Sequence, residues 1–415
     1  MAAAAPEGSI PKAQRTGDLV TIDGAYGEGG GQILRNAVAL SCIAGVPVRI
    51  HSIRANRPKG GGLRPQHSSS ITLLSEIGDA HTEGNEVGST LVSCYPKKTL
   101  WSGSTSEGTE GDVEVFRSEP GTAASTTLIA QASVPLLILL PFSSNRKKAF
   151  MLTATGGTNQ TMAPPYESFD KALFPLLQRH LGIAIQSKLK KRGLVPSGGG
   201  IIELTVHRDE QLSHPPSKWE LNLVNRGLVT KVTAYLWQTN MNREQEWEAI
   251  KTETTRALQM LGEFHAQTSV EEVRTPPAGK EQAIGVVFVA ETDTGCFLSS
   301  DGIYERPRKC KHGSGLCENA RKMVQDTIET LLLDLRLGAC VDSHIQDQLI
   351  IFMALSGKSC QMLCGEVTQH TRSAMYVTTN ILGARFEIKS SKEVLGESSP
   401  VSEQCNVIHS YPISS

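Results

Sequence analysis

Leu19 to Ile53 reads LVTIDGAYGEGGGQILRNAVALSCIAGVPVRIHSI. Leu19 to Asp23 predicts a short strand, and Gly24 to Gly31 a glycine loop. From Gln32 to Ala44 the period changes. Ile33, Leu34, Ala37, Val38, Leu40 and Ile43 share one side of a predicted helix. Gly45 ends that helix, Pro47 blocks its return, and Val48 to Ile53 predicts the next strand. A strand, a glycine turn, a helix and a strand make an α/β unit.

Similar alternation recurs after Thr155 and after Val341. Glycine triplets stand at Gly29-Gly30-Gly31, Gly60-Gly61-Gly62 and Gly198-Gly199-Gly200. An internally repeated α+β unit is therefore expected. From Trp219 to Gly338 the style differs. Strand-like Glu220–Val224 and Ile284–Glu291 flank helical Asn242–Gly262 and Cys317–Leu337. The expected plan is a large repeated domain over 18–218 and 339–389 and a smaller inserted α/β domain over 219–338. Polar, disordered tails are expected at 1–17 and 390–415. Asp301 to Gly313 reads as a basic loop with Arg306, Arg308, Lys309 and Lys311.

Composition narrows the function. The 415 residues are 39% hydrophobic and 20% charged, with 41 Lys plus Arg against 42 Asp plus Glu. A net charge of -1 gives no global field to attract nucleic acid, so any RNA contact must come from a local basic cluster. Nine cysteines lie without CxxC pairing; Cys310, His312 and Cys317 fit no common zinc module. The longest apolar stretch, Ala132 to Phe142, is too short to span a bilayer, and Met1 to Gly17 lacks a signal-peptide core. No membrane partner is expected, and the cysteine usage suits a reducing compartment, cytosol or nucleus.

Several segments can carry chemistry. Asp23 to Arg35 exposes backbone N–H groups at a helix start, where an anion is favoured. It lacks the Lys-Ser/Thr pair of a P-loop, and Gln32 replaces the third glycine of a dinucleotide fingerprint. Glu28 either holds Mg²⁺, a hard cation that prefers carboxylate oxygen, or is a solvated side chain on a tight turn. Arg54, Arg57 and Arg64, with Lys59, Gln66 and His67, lie on a Gly/Pro-rich loop after a strand. Their forks suit a polyphosphate or an RNA end; a solvated basic face is the plainer alternative. Thr155–Asn159 with Ala163-Pro164-Pro165, and Arg192–Gly200, each read alone as turns. His370, in Val367-Thr368-Gln369-His370-Thr371, has no claim to catalysis from spacing alone.

Their joint order changes this. Arg192-Gly193-x-x-Pro196-x-Gly198-Gly199-Gly200-x-Ile202 resembles the signature of the RNA 3'-terminal phosphate cyclase family. Asp23–Arg35, Ile53–His67, Gly156–Pro164 and Asp347–Leu355 resemble the family's other blocks, in order, across about Asp18 to Ile388. The resemblance implies a large domain of βαβ-type units similar to a translation initiation factor's C-terminal domain, with an inserted thioredoxin-like domain. It implies ATP-dependent conversion of an RNA 3'-phosphate to a 2',3'-cyclic phosphate, with Mg²⁺ or Mn²⁺, through a covalent histidine–AMP. By the same resemblance His370 is the nucleophile and Glu28 the metal-binding carboxylate. Arg35, Arg54, Arg57 and Arg64 contact phosphate or the RNA end; Gln66 and Asp347 line the nucleotide pocket. Pro164 packs one face of adenine. A nuclear location is expected, compatible with a cytoplasmic pool.

One departure stands out. The family often carries an acidic-Tyr pair where this chain has Ser343 and His344, so His344 takes the place of the second adenine wall. An imidazole offers less stacking area than a phenol ring. A catalytically silent, cyclase-like factor in pre-rRNA processing is therefore the alternative, although such relatives lack the nucleophilic His. A small-molecule transferase on a related fold fits the signature poorly.

Overall fold

The computed structural model describes residues 10–57, 60–100, 113–143, 149–161, 163–207, 219–240, 244–305 and 316–413. The opening unit follows the expected plan. β1 (Gln14–Thr16) and β2 (Leu19–Asp23) lead through the glycine loop into α1 (Gly31–Ala44). β3 (Val48–His51), α2 (Pro65–Ile77), β4 (Ala80–Glu83) and β5 (Val92–Pro96) complete it. The strand expected to reach Ile53 stops at His51, because Ser52 and Arg54 take left-handed backbone angles.

The second unit has β6 (Val113–Ser118), α3 (Thr126–Leu137), the short α4 (Leu140–Ser143) and β7 (Ala149–Gly156). α5 (Tyr166–Ser168), a π-turn at Phe169–Leu173, α6 (Phe174–Leu181), β8 (Gln186–Lys191) and β9 (Gly200–His207) follow. β10 (Asn222–Leu223) begins the third unit. Four strands then form a sheet of their own: β11 (Val229–Thr239), β12 (Gln267–Glu272), β13 (Ala283–Thr292) and β14 (Phe297–Glu305). α7 (Glu244–Gln259) and α8 (Leu316–Leu337) accompany them. The third unit resumes with α9 (Ser343–Leu355), β15 (Cys360–Cys364), α10 (Gln369–Leu382), β16 (Arg385–Ser390), α11 (Ser391–Leu395) and β17 (Asn406–Tyr411).

Sheet order exposes the repeat that sequence identity hides. The units run β2-β3-β5-β4, β6-β7-β9-β8 and β10-β15-β17-β16. In each, the first pair is parallel and the next two pairs are antiparallel. The parallel pair needs a crossover, which α1, α3 and α9 supply. In the third unit that crossover also contains the β12-β11-β13-β14 sheet. The helices pack on one another, α1 against α2, α3 and α10, and α9 against α3 and α10. This explains why α1 is buried from Gln32 to Ile43: one side faces its sheet and the other faces neighbouring helices.

The repeat corrects three expectations. Residues 390–415 are not a disordered tail through their described part, because Asn406–Tyr411 is the strand between β15 and β16. The boundary at 219 also shifts. Trp219 is buried, its ring 6.3 Å from that of Phe352, and Asn222–Leu223 pair with β15, so the separate sheet begins at Val229. Residues 301–305 are strand paired with β13, and 306–313 lie outside the described residues. The tail expected over 1–17 is likewise corrected, because Gln14–Thr16 pairs with β2; residues 1–9 lie outside the described residues. Among the described residues no helix is long and apolar enough to cross a membrane. Cys42, Cys94, Cys296, Cys340, Cys360, Cys364 and Cys405 are free and buried; Cys310 and His312 lie outside the described residues.

Candidate active site

Three loops converge at the start of α1. Arg35, one turn into the helix, points back so that its Nη1 lies 2.9 Å from where a Cβ on Gly31 would sit. His67 Nε2, from the first turn of α2, lies 2.6 Å from the same point. Any side chain at 31 would collide with both, which is the physical reason for glycine there. His67 is buried, and its Nδ1 accepts the Arg64 backbone N–H at 3.0 Å. Burial, aided by Arg35, Arg54, Arg64 and Arg57, pushes its pKa down to about 3, so the ring is neutral. Gln66 Nε2 lies 3.5 Å from His67 Nε2.

Arg35 is 7% exposed and donates to Gln131 Oε1 of α3 at 3.4 Å. Burial lowers its pKa to about 10, with Asp347 opposing, so it stays charged. Its Nε is buried without a hydrogen-bond partner among the described residues. A buried, charged fork with an open donor is suited to an anion. Arg54 donates to Gly62 O at 3.2 Å and Arg64 to Gly60 O at 3.4 Å. Burial first, then Arg64 and Arg57, lower the Arg54 pKa. Mutual repulsion among three guanidinium groups is a cost that a polyanion would relieve.

His370 stands in the first turn of α10, whose N-cap Thr368 accepts from Thr371 N. His370 Nδ1 lies 3.0 Å from Gln32 Oε1, and Gln32 Nε2 donates to Asp347 Oδ2. When Asp347 is ionised, its carboxylate fixes the amide with its NH₂ toward 347. Gln32 Oε1, an acceptor only, therefore requires a proton on His370 Nδ1. In neutral imidazole this leaves the lone pair on Nε2, 3.7 Å from Glu28 Oε2. Glu28 Oε2 also lies 3.5 Å from Arg57. His370, Glu28 and Arg57 are 53%, 45% and 32% exposed, and pairs so open contribute only about 0–1 kcal/mol. Their placement does little for stability and leaves them open to a ligand. Burial pushes the Asp347 pKa up to about 7, opposed by His344, the Gln32 hydrogen bond and Arg35.

Pro164 and His344 lie on different elements, just before α5 and in the first turn of α9. The Pro164 carbonyl accepts from Thr127 at 2.7 Å, one turn before Gln131 on α3. His344 is exposed at the start of α9, where Asp342 caps the helix by accepting from His344 N and Ile345 N at 2.8 Å each. Asp342 also accepts from Ser299 N at 2.7 Å, and Ser299 Oγ lies 3.4 Å from Ser168 Oγ. The 164–168 segment and the α9 start are thereby tied together. Neither Pro164 nor His344 has a hydrogen bond or ion pair to His370 among the described residues.

Gln32 and Gln131 carried no role in the sequence, and His67 stood there only as a member of the arginine loop. Gln32 stood out only by occupying a glycine position; its partners lie 315 and 338 residues away. The Arg192 signature is not in the site. Arg192 is fully buried, donating to Asn159 Oδ1 at 2.7 Å and Glu167 Oε1 at 2.6 Å, with Trp237 4.2 Å from its fork.

The family described as RNA 3'-terminal phosphate cyclase matches residues 26–388. A Pyrococcus abyssi protein named RNA 3'-terminal phosphate cyclase is 34% identical over 374 residues, covering 89% of this chain and 95% of its own. A Drosophila melanogaster protein of the same name is 31% identical, covering 89% and 92%. A Pyrococcus furiosus namesake is 31% identical, covering 91% and 98%. With the glycine loop, the arginine cluster and His370 gathered at one place, the chain belongs to the RNA 3'-terminal phosphate cyclase family.

Proposed function

We propose that this chain uses ATP to convert an RNA 3'-terminal phosphate into a 2',3'-cyclic phosphate, with His370 as nucleophile. The observation that carries this is the Gln32–His370–Glu28 arrangement, which leaves one imidazole nitrogen unprotonated and open beside a carboxylate and arginines. His370 Nε2 attacks the α-phosphorus of ATP; a P–N bond forms, the α–β bridging P–O bond breaks, and pyrophosphate leaves. An oxygen of the RNA 3'-phosphate then attacks that phosphorus and frees the imidazole. Finally the 2'-OH attacks the 3'-phosphorus, loses its proton, and expels AMP. Covalent catalysis splits one difficult displacement into easier ones.

Glu28 would hold the Mg²⁺ or Mn²⁺ that accompanies ATP. One open carboxylate suits a hard cation whose other ligands are water and phosphate oxygens. Among the described residues no cluster of three or more His, Cys, Asp or Glu forms an all-protein cage. The bound cation would neutralise phosphate charge. Arg35, Arg54, Arg57 and Arg64 would do the same from the protein side, and Gln66 and Asp347 would border the nucleotide.

The test is incubation with α-labelled ATP and Mg²⁺. The expected product is a protein-linked label, acid-labile and base-stable, and a phosphatase-resistant end on an oligoribonucleotide 3'-phosphate. Absence of both would favour the non-catalytic, pre-rRNA-processing alternative that Ser343 and His344 raise.

Two variants divide the steps. Glu28→Ala is expected to weaken Mg²⁺-dependent adenylation. Arg57→Ala is expected also to raise KM for phosphate-ended RNA about ten-fold or more, because a charge-assisted contact contributes about 1.5–3 kcal/mol. Wild-type rates in both would reduce these charges to an ordinary solvated face. His344→Tyr is expected to lower KM for ATP by about three-fold or more through added stacking area, with little change in kcat. An unchanged KM would remove His344 from the adenine pocket.

A further inference from the structure

Tyr26 lies outside every role assigned above. It sits in the glycine loop two residues before Glu28, partly exposed. Its ring stacks on Tyr376 with centroids 4.1 Å apart and planes 23° from parallel. Tyr376 is buried on α10, and its hydroxyl accepts the Asp23 N–H at 3.1 Å, so the supporting ring is fixed. The loop is held on both sides of Tyr26. Ala25 N donates to Asp23 Oδ1 at 2.9 Å, Asn56 Nδ2 to Ala25 O at 3.0 Å, and Gly29 N to Tyr26 O at 3.0 Å. No hydrogen bond to the Tyr26 hydroxyl is formed among the described residues; burial raises its pKa, with the charge of Arg372 opposing.

The location connects this aromatic pair to the chemistry. A Cβ at Gly27 would lie 3.1 Å from Ser373 Oγ and 3.7 Å from Gln369 Oε1, so the loop runs along the α10 face beside His370. His370 and Tyr376 are six residues apart on α10, or about 9 Å along its axis at about 1.5 Å per residue. That is the scale of one nucleotide. Asn56, which holds the loop, neighbours Arg57 of the basic cluster.

We propose that the exposed flank of Tyr26, backed by Tyr376, is a stacking platform for a nucleobase at the RNA 3' end. Unpaired RNA bases are recognised by stacking on aromatic side chains, and a braced ring loses little freedom on binding. The inference rests on the reading that an RNA 3'-phosphate is the substrate. It adds a base-dependent contact to the phosphate-dependent one at the arginines.

The experiment is fluorescence anisotropy with a 5'-labelled oligoribonucleotide 3'-phosphate, carrying either a normal or an abasic terminal ribose. Wild type is expected to bind the normal end about ten-fold more tightly than the abasic end. Tyr26→Ala should weaken only the normal end and bring the ratio near one; Tyr26→Phe should keep the ratio. Tyr26→Leu, which still covers Tyr376, should behave like Ala and guards against loss of fold. An undiminished ratio in Ala and Leu, or equal losses on both ends, overturns the platform. If ATP labels wild type but no base discrimination exists, this inference falls and the cyclase reading stands. Base discrimination without any ATP adduct has the opposite meaning.

Discussion

Replacing His370 with Ala is expected to abolish the protein–AMP adduct while the near-UV circular dichroism stays that of the wild type. His370 is half exposed, so its loss opens no cavity. Among the described residues the other histidine gathered at the start of α1, His67, is buried, with Nδ1 engaged by Arg64 N–H. Gln32→Ala is the sharper probe of the geometry. It keeps the nucleophile but frees the ring to turn and to exchange tautomers. Misplacing a reacting group by about 1 Å costs on the order of 10²-fold in rate, so kcat for adenylation should fall by that much with KM for ATP little changed. Full adduct in His370→Ala would end the assignment. A Gln32→Ala rate within a few-fold of wild type would show that the amide does not orient the ring.

The second large effect is expected far from the chemistry. Arg192, Glu167 and Asn159 are buried and mutually bonded, with Asn159 Nδ2 donating to Glu167 Oε2 at 2.8 Å. Removing one partner leaves a buried charge uncompensated, which costs about 3–5 kcal/mol. Glu167→Ala should therefore lower the denaturation midpoint with the slope m unchanged. Arg192→Lys should not rescue, because an ammonium cannot reproduce the planar fork that meets two acceptors at once. Burial pushes Glu167 up, but Arg192 and the hydrogen bonds from Arg192 and Asn159 more than offset it, holding its pKa below the usual range. A depressed folded-state pKa means the stabilisation is complete above the ordinary carboxylate range. It is lost as pH falls through the depressed value. Stability in Glu167→Ala should accordingly lose part of its acid dependence. A loss below about 1 kcal/mol would place this cluster among ordinary surface pairs.

The same cluster explains the family signature physically. Arg192 N donates to Pro276 O and Ala278 N to Arg192 O, each near 2.9 Å, joining the second unit to the chain between β12 and β13. A Cβ at Gly193 would lie 2.2 Å from Gly156 O and 2.3 Å from Gly200 N. The motif's glycines permit this close backbone crossing. Asn159 and Glu167 bracket Pro164, so the signature holds the segment that carries Pro164 in place.

Local order was legible in the sequence. The apolar period from Ile33 to Ile43 and the stop at Gly45 predict α1, which ends at Ala44 with a left-handed Gly45. The order of motifs, and with it the family, could be read because each motif is a short run whose backbone demands are local. Tertiary structure decided the rest. β17 could not be read because Asn406–Tyr411 is a short run in polar surroundings, and a strand gains its hydrogen bonds only from β15 and β16. Arg35 and Arg192 are both arginines beside glycines in sequence. Both are buried; only their partners separate Arg35, which meets the neutral amide of Gln131, from Arg192, which closes on Glu167 and Asn159. Gln32 acquired its role when α1, α9 and α10 packed together, because its amide bridges Asp347 and His370, both more than 300 residues away along the chain.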